Sequence, residues 1–356
     1  MADRDEGVVP TMADVARLAG VSASTVSYAL TGARPISAAT RERIQHAMDD
    51  LGYTPNAFAR GLKSKRSRII ALLFPRDGRD LGLSSLEYIL GASDHAQDLG
   101  YHLLLWTTEA DAIDDLARLA GQGLVDGALI MEVRLRDPRL EVLSKAGLAF
   151  AMIGRTADPG DNDFADTNFD QCARLAVDHL VGLGHRHLGF VNLNASTILA
   201  GRSNAIRLRD GVLRAAAGAQ AKITALICES SIVGGREAFF ELLAQDRHLS
   251  AVIAFNEQAT PGILSAAAEI GWHIPRDFSI LSIDMPAQAA LMTTPTMTTV
   301  GPTAAAMGRA AADMLIRRLQ GGPGGRRQML FDGALMLRES TGPAPEKGGN
   351  RHSFPR

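Results

Sequence analysis

Cysteine is scarce in this chain of 356 residues: only Cys172 and Cys228 occur. Two thiols cannot build a disulfide framework, so both read as inert packing residues of a protein kept in a reducing cytosol. Long apolar runs are missing too, and nothing approaches the roughly 18 residues that a membrane-spanning helix needs. Residues 1–10 are acidic and carry no apolar h-region, which argues against a secretory signal. Also lacking are a Cys/His/carboxylate set at metal-ligand spacing, a Gly-x-Ser-x-Gly elbow and a pair of catalytic carboxylates. His185-Arg186-His187 reads as a cap on a helix end. Residues 321–325 are Gly-rich but contain Pro323 and follow a helix, so they read as a surface loop rather than a phosphate cradle. The expectation is no metal, no cofactor and no enzyme. Neither sign of charge dominates, with 37 Lys and Arg against 39 Asp and Glu. Read whole, that balance argues weakly against a nucleic-acid partner, while the length allows two or three domains with a large core.

The balance is a sum of unequal parts. Between Pro10 and Ile70 nine cations face four anions, a net +5, whereas from Ala71 to Ser340 24 cations face 31 anions, a net −7. A basic stretch therefore precedes an acidic body. This is the asymmetry of a polyanion-binding module attached to something else; chance clustering on a solvated surface is the bland alternative.

The basic stretch is punctuated for helices. Thr11 can cap a helix whose Met12, Val15, Ala16 and Ala19 share a face, and Gly20 ends it. Ser22 caps a second helix over residues 23–30 that turns Val26, Ala29 and Leu30 inward. After a loop, Ser37 caps a third over 38–51, with the apolar stripe Ile44, Ala47, Met48 and Leu51. Helix, Gly turn, short helix, loop and longer helix is the layout of a helix-turn-helix domain, a generic small bundle being the alternative. Residues 56–64 start with the cap Asn56 but contain Gly61 and run into Lys63-Ser64-Lys65-Arg66. So short a helix is marginal alone in water and reads as conditional on a partner.

Thr11-Met12-Ala13-Asp14-Val15-Ala16, Gly20-Val21-Ser22, Ser24-Thr25-Val26-Ser27 and Thr40-Arg41-Glu42-Arg43-Ile44 together resemble the LacI/GalR family of bacterial transcriptional regulators. Leu51-Gly52-Tyr53-Thr54-Pro55-Asn56, with Ala59 and Leu62, extends the resemblance. It implies that the second helix enters the major groove with Ala23, Ser24 and Tyr28 at the base-reading positions. None of these offers a bidentate contact to guanine, so operator sequence cannot be carried over from other members. Ser22, Thr25 and Ser27 are expected on phosphates, and Thr11, Asn56, Ala59 and Lys63 join the DNA-binding set. Leu62 matches the hinge leucine that the family wedges into the minor groove, kinking the duplex. Paired hinges require a homodimer, and a two-fold protein implies double-stranded DNA with a pseudo-palindromic operator.

The acidic body alternates apolar strands, near 69–75, 101–106, 125–131, 148–153, 187–191, 222–228, 251–255 and 279–283, with helices such as 86–99, 112–122 and 170–182. That alternation predicts doubly wound parallel sheets, and about 270 residues exceed what one sheet usually holds. The resemblance continues through Gln122-Gly123-Leu124-Val125-Asp126-Gly127, Leu183-Gly184-His185-Arg186, Ile274-Pro275-Arg276-Asp277 and Leu337-Arg338-Glu339-Ser340-Thr341. It implies an α/β two-lobed, periplasmic-binding-protein-like body with a small-molecule effector between the lobes, a sugar being the prior expectation. Ligands of such sheets sit beyond the carboxyl ends of the strands. The candidates there are Asp284, which leads, with Asn256, Arg207 (Arg209 one shift away), Arg76 and Asp77. Residues 78–85 lack the aromatic pair often found in sugar-binding members.

The fold class expected is thus a small all-α helix-turn-helix domain joined to a two-lobed α/β body. The domains are expected at 11–54 and 68–341, with a hinge helix and linker at 55–67 and disordered ends at 1–10 and 342–356. The function expected is a sequence-specific transcriptional regulator, in type a repressor, cytoplasmic, nucleoid-associated on its operator and without a membrane partner. A solute-binding protein without DNA activity is the alternative, and an α/β enzyme of sugar metabolism ranks third for want of any catalytic constellation.

Overall fold

The computed structural model describes residues 10–31, 34–53, 66–76, 81–109, 113–322 and 326–345. The chain divides into two compact units, Met1–Arg68 and Ile69–Arg356. The expected hinge helix, with Asn56, Ala59, Leu62 and Lys63, lies outside the described residues, as does Asp77.

The first unit holds α1 (Met12–Ala19), α2 (Ala23–Thr31) and α3 (Ala38–Leu51). Capping sets their limits. The Asp14 carboxylate reaches back to the Thr11 amide at 2.9 Å and accepts from its hydroxyl at 2.6 Å. Gly20 ends α1 in the left-handed region (φ 64°), which a side chain would disfavour. Ser37 accepts from the Thr40 amide at 3.2 Å and starts α3. Val15, Ala16, Ala19, Val26, Ile44, Ala47 and Met48 close over one another as the core. All three helices fall where the pattern of caps and apolar faces predicts them.

The second unit contains two six-stranded sheets with the orders β11-β5-β4-β3-β1-β2 and β12-β10-β9-β8-β6-β7. Lobe one takes β1 (Ile69–Arg76), β2 (His102–Glu109), β3 (Gly127–Ile130), β4 (Ala149–Ile153), β5 (Asp163–Thr167) and β11 (Gln328–Phe331). Lobe two takes β6 (His187–Asn192), β7 (Lys222–Ile227), β8 (Ala251–Ala254), β9 (Ser279–Ile283), β10 (Thr298–Gly301) and β12 (Ala334–Met336). Every pairing is parallel except β10 with β12, which is antiparallel at an edge. The central strands bury both faces. Leu72, Leu129 and Ala151 meet helices Leu83–Asp98 and Ala304–Leu319, while Leu73, Ile130 and Met152 meet Ile113–Gly121 and Pro138–Lys145. That is why these strands read as continuous apolar runs.

The chain crosses between lobes at residue 168, at 302–303 and at 332–333. The Asn168 side-chain amide donates to Asp332 Oδ1 at 2.7 Å, and Gln171 exchanges hydrogen bonds with the Gly333 carbonyl (3.0 Å) and amide (2.9 Å). A β-carbon on Gly333 would lie 2.6 Å from Cys172 Sγ and 3.1 Å from Gly301 Cα, so two crossovers and one cysteine converge on a bare backbone. Both thiols are free and buried, and burial pushes each up to about 12, which leaves them protonated and inert.

The expected cap at the end of helix Phe169–Gly182 is present: the Arg186 side chain donates to the Val181 carbonyl at 2.8 Å and the His185 amide to the Leu180 carbonyl at 3.1 Å. The His185 ring is fully buried, its nitrogens meeting Ser250 Oγ at 2.8 Å and Ser279 Oγ and the Gly342 carbonyl at 3.1 Å. One expectation needs correction here. Ordered structure runs beyond 341, because Gly342 is held by His185 and Ala344 donates to the Leu183 carbonyl at 2.8 Å.

Candidate functional site

Two surfaces carry chemistry. On the first unit, Ser22 caps α2 by accepting from the Thr25 amide at 3.2 Å, and its hydroxyl stands 2.8 Å from those of both Ser24 and Thr25. Ser22, Ala23 and Ser24 are exposed and Thr25 is half-buried, so this helix start presents small hydroxyls to solvent. A helix start is electropositive, which suits a phosphate or a base edge. Tyr28 is half-buried, and the Arg34 guanidinium lies 5.2 Å from its ring centroid. Arg34 thus adds a cation beside a base-reading position, a role the sequence reading did not give it. Ser27 is a correction: at 4 % exposure it faces inward next to Val26 and is not presented to a phosphate. Thr11 is exposed but its hydroxyl is engaged by Asp14.

On the second unit, a cavity of about 120 Å³ opens at the carboxyl ends of both sheets. Lobe one contributes Phe74, Tyr88, Glu132 and Asp166; lobe two contributes Asn204, Ser230, Phe255, Asn256, Glu257 and Asp284. Asp284 immediately follows β9 with φ 61°, and Glu132 lies just beyond β3 with φ 52°. Two non-glycine residues in the left-handed region at one cavity are strained backbone spent on aiming carboxylates inward.

The electrostatics are acidic. Burial raises Asp284 to about 7, reinforced by Glu257, Glu87 and Glu132, against one lowering influence, the Tyr88 hydroxyl that donates to its two oxygens at 3.3 and 3.4 Å. Burial likewise lifts Asp166 to about 6 despite Arg155 and Arg207 nearby. Arg155 Nε lies 3.1 Å from Asp166 Oδ2, but neither atom makes an aligned hydrogen bond. Arg207 Nε and Ser230 Oγ are also buried without a hydrogen-bond partner. Buried polar atoms left unsatisfied are costly, and a polar ligand in the cavity would relieve that cost. Among the described residues, no group of three or more His, Cys, Asp or Glu could hold a metal ion.

Of the residues expected here, Asp284 and Asn256 line the cavity. Asn256 spends its side chain on the fold, donating to the Cys228 carbonyl at 3.4 Å and accepting from the Ala259 amide at 3.3 Å. Arg207 is not a lining residue; it donates to the Thr156 carbonyl at 2.8 Å and stands close to Asp166. Arg209 pairs with Asp210. Arg76 ends β1. Sequence reasoning did not single out Glu132, Asp166 and Tyr88. Glu132 carries the same signal as Asp284, an acid following a strand.

Comparison with known proteins agrees with this geometry. A family model described as bacterial regulatory proteins, lacI family, matches residues 11–56, and one described as periplasmic binding protein-like domain matches residues 177–341. The chain belongs to the LacI family. Among relatives of this LacI-family chain, the HTH-type transcriptional repressor PurR of Photobacterium profundum is 27 % identical over 344 residues, covering 93 % of this chain and 98 % of that one. Among solved structures, a transcriptional regulator CelR–cellobiose complex is similar at 26 % identity and a TM-score of 0.70, covering 93 % of this chain and 99 % of that one. The lac repressor dimer bound to operator and the anti-inducer ONPF shares the fold at a TM-score of 0.81 and 24 % identity, covering 94 % of this chain and 99 % of that one.

Proposed function

We propose that this LacI-family protein is a repressor-type transcriptional regulator that binds a pseudo-palindromic operator as a homodimer and is controlled by a small molecule in the cleft. The observation that carries the reading is the pairing, in one chain, of an exposed hydroxyl-bearing helix start in a helix-turn-helix unit with a cavity lined by carboxylates, hydroxyls and amides at the strand ends of two lobes. A solute-binding protein would have no use for the first. The family is one of regulators, not enzymes.

The cavity also speaks to effector class. Its described lining residues offer carboxylates, hydroxyls, amides and phenyl rings, but no Lys, Arg or His. Such a lining favours an uncharged polyhydroxylated molecule over a phosphorylated or carboxylated one, because buried anions need a cation or donors in excess. A sugar fits that description, and one similar structure holds cellobiose. Large apolar side chains exposed on both lobes, Leu86 and Leu90 on one and Ile232, Val233 and Met292 on the other, support a homodimer. Such a regulator works in the cytoplasm, and we infer nucleoid association while it occupies its operator.

The test is selection of genomic fragments by the purified full chain, repeated with candidate sugars. Removing residues 1–66 should abolish specific DNA binding while leaving sugar binding intact. Leu62→Ala should weaken operator binding and reduce bending of the duplex. Asp284→Ala should weaken effector binding in calorimetry, and an unchanged heat of binding would refute Asp284 as a contact.

A further inference from the structure

Glu257 does something in this cleft that a ligand contact does not require. It follows β8 in lobe two, yet its carboxylate lies against the start of helix Leu83–Asp98 in lobe one. The Ser84 amide donates to Glu257 Oε2 at 3.2 Å, and the nearby Ser84 hydroxyl and Leu83 amide favour its charged form against the burial that raises its pKa. Gly82 precedes this helix with φ −73° and ψ 167°, an ordinary extended conformation that any residue adopts. Its backbone does not call for glycine, and what a side chain there would meet is the Glu257 carboxylate, which would have to leave its place. A β-carbon there would stand 1.9 Å from Glu257 Oε1. The bare backbone of one lobe and the long acid of the other therefore form one contact.

The same helix receives a second acid from lobe two, since Tyr88 donates to Asp284. Elsewhere along the cleft, backbone bonds join the lobes, from the Leu135 amide to the Gly201 carbonyl (2.8 Å) and from the Ser203 amide to the Val133 carbonyl (2.9 Å). These bonds involve no side-chain chemistry. Charged side chains cross as well, Arg207 to the Thr156 carbonyl and Arg202 to the Glu132 carbonyl, and Glu257 adds an anion at a helix start, where it gains both the free amides and the helix dipole.

We propose that Glu257 is a positioning residue which clamps lobe two onto the start of helix Leu83–Asp98 through Gly82, so that the chain's own groups supply part of the closure of the cleft. The proposal rests on the reading of the cleft as the effector site only for its consequence: an effector would enter a cleft whose closure is already partly made. Closure contacts that exist before binding lower the ordering cost of binding and set how tightly the two states are balanced.

The experiment needs no effector. Spin labels are placed one on each lobe, by Lys145→Cys and Gln245→Cys in the full chain, and inter-lobe distances are read by double electron–electron resonance without added ligand. Cys172 and Cys228 are buried and serve as the unlabelled background. Glu257→Ala and Gly82→Ala, on opposite lobes, should each reduce the short-distance population about tenfold, the equivalent of one charge-assisted hydrogen bond. The double variant should go no further than either single one. Glu257→Gln keeps an acceptor oxygen and should restore part of the short-distance population. Unchanged distances in both single variants, or additive changes in the double variant, would overturn the clamp. Failure of the effector reading looks different: the lobes separate in the variants, yet no sugar produces a heat of binding with the parent protein.

Discussion

The two lobes are built to one plan and filled by different means. In each, five parallel strands run in the same spatial order, fifth, fourth, third, first, second, with a late strand added at the edge. In each, two helices on one face approach until only glycine fits. In lobe one a β-carbon on Gly91 would lie 2.1 Å from the Ala305 carbonyl oxygen, and one on Gly308 the same distance from that of Tyr88. In lobe two a β-carbon on Gly235 or Gly262 would lie 1.9 Å from the carbonyl oxygen of Ala259 or Ile232. The difference is where the partners come from. Lobe two pairs helices that are neighbours in the chain, Ile232–Gln245 and Thr260–Glu269. Lobe one pairs Leu83–Asp98 with Ala304–Leu319, which is made only after the chain has passed through lobe two. Lobe one is therefore the lobe whose paired helices depend on the crossovers, and it carries Tyr88 and Ser84 on the helix that this late partner supports.

The largest expected effect tests that dependence. Gly308→Ala and Gly262→Ala should each destabilise the body by about 3 kcal/mol, because neither helix pair can absorb a methyl group without moving apart. The chain has two tryptophans, Trp106 on β2 of lobe one and Trp272 in lobe two, so urea unfolding of single-tryptophan variants reads each lobe. Gly308→Ala should shift the Trp106 transition most and Gly262→Ala that of Trp272. Equal shifts at both probes for both variants would show that the lobes unfold as one unit and erase the distinction.

A smaller effect is expected at His185, which belongs to lobe two alone. His185→Ala leaves two buried hydroxyls and the Gly342 carbonyl short of partners and should cost about 2 kcal/mol, seen at Trp272. The parent protein adds a pH signature. Burial lowers the pKa of His185. The folded state therefore resists protonation, and stability from this residue, complete above the unfolded value, is lost as pH falls below about 6.5. In His185→Ala that acid-side loss should shrink, and an undiminished loss would assign it to other groups.

Asp284 titrates with the opposite sign. Its folded-state value, about 7, lies above the ordinary carboxylate range. Its ionisation therefore opposes folding increasingly as pH rises from about 4 to 7. Asp284→Asn should match the parent in melting temperature near pH 4 and exceed it at pH 8; a constant difference across that range would contradict the raised titration of this buried carboxyl. The smallest effect concerns Arg236 and Glu269, a bidentate ion pair at 2.8 and 2.9 Å lying on the exposed surface of lobe two. Arg236→Ala should leave the melting temperature unchanged within error, since solvent screens such pairs.

Eight strands were legible as apolar runs; six of them are central strands buried on both faces, which cannot hide their composition, while the edge strands β2 and β7 are apolar although partly exposed. The other four were not, for a physical reason that β5 illustrates. Asp163-Phe164-Ala165-Asp166-Thr167 looks like a polar loop, yet all five residues are buried. Arg318 meets Asp163 at 2.8 Å and Arg155 lies beside Asp166, and both cations arrive through tertiary folding. The site divides in the same way. Asp284 could be found because it follows an apolar strand, whereas Glu257 stood in plain view next to Asn256 with no local sign of its partner 173 residues away. Ser27 shows the converse error, because a hydroxyl at a helix start reads as a phosphate contact until burial turns it inward.

Local chemistry, then, was determined by sequence alone: caps at Thr11, Ser22 and Ser37, the split between a basic module and an acidic body, apolar strands, and a family likeness running nearly end to end. Each of these depends on residues within a few positions of one another. What only the tertiary structure decided is which distant groups meet, namely Gly91 with helix Ala304–Leu319, His185 with Gly342, Tyr88 with Asp284 and Gly82 with Glu257. Those meetings fix the cleft, because an enclosed carboxylate takes its energy and its role from whatever the fold places beside it.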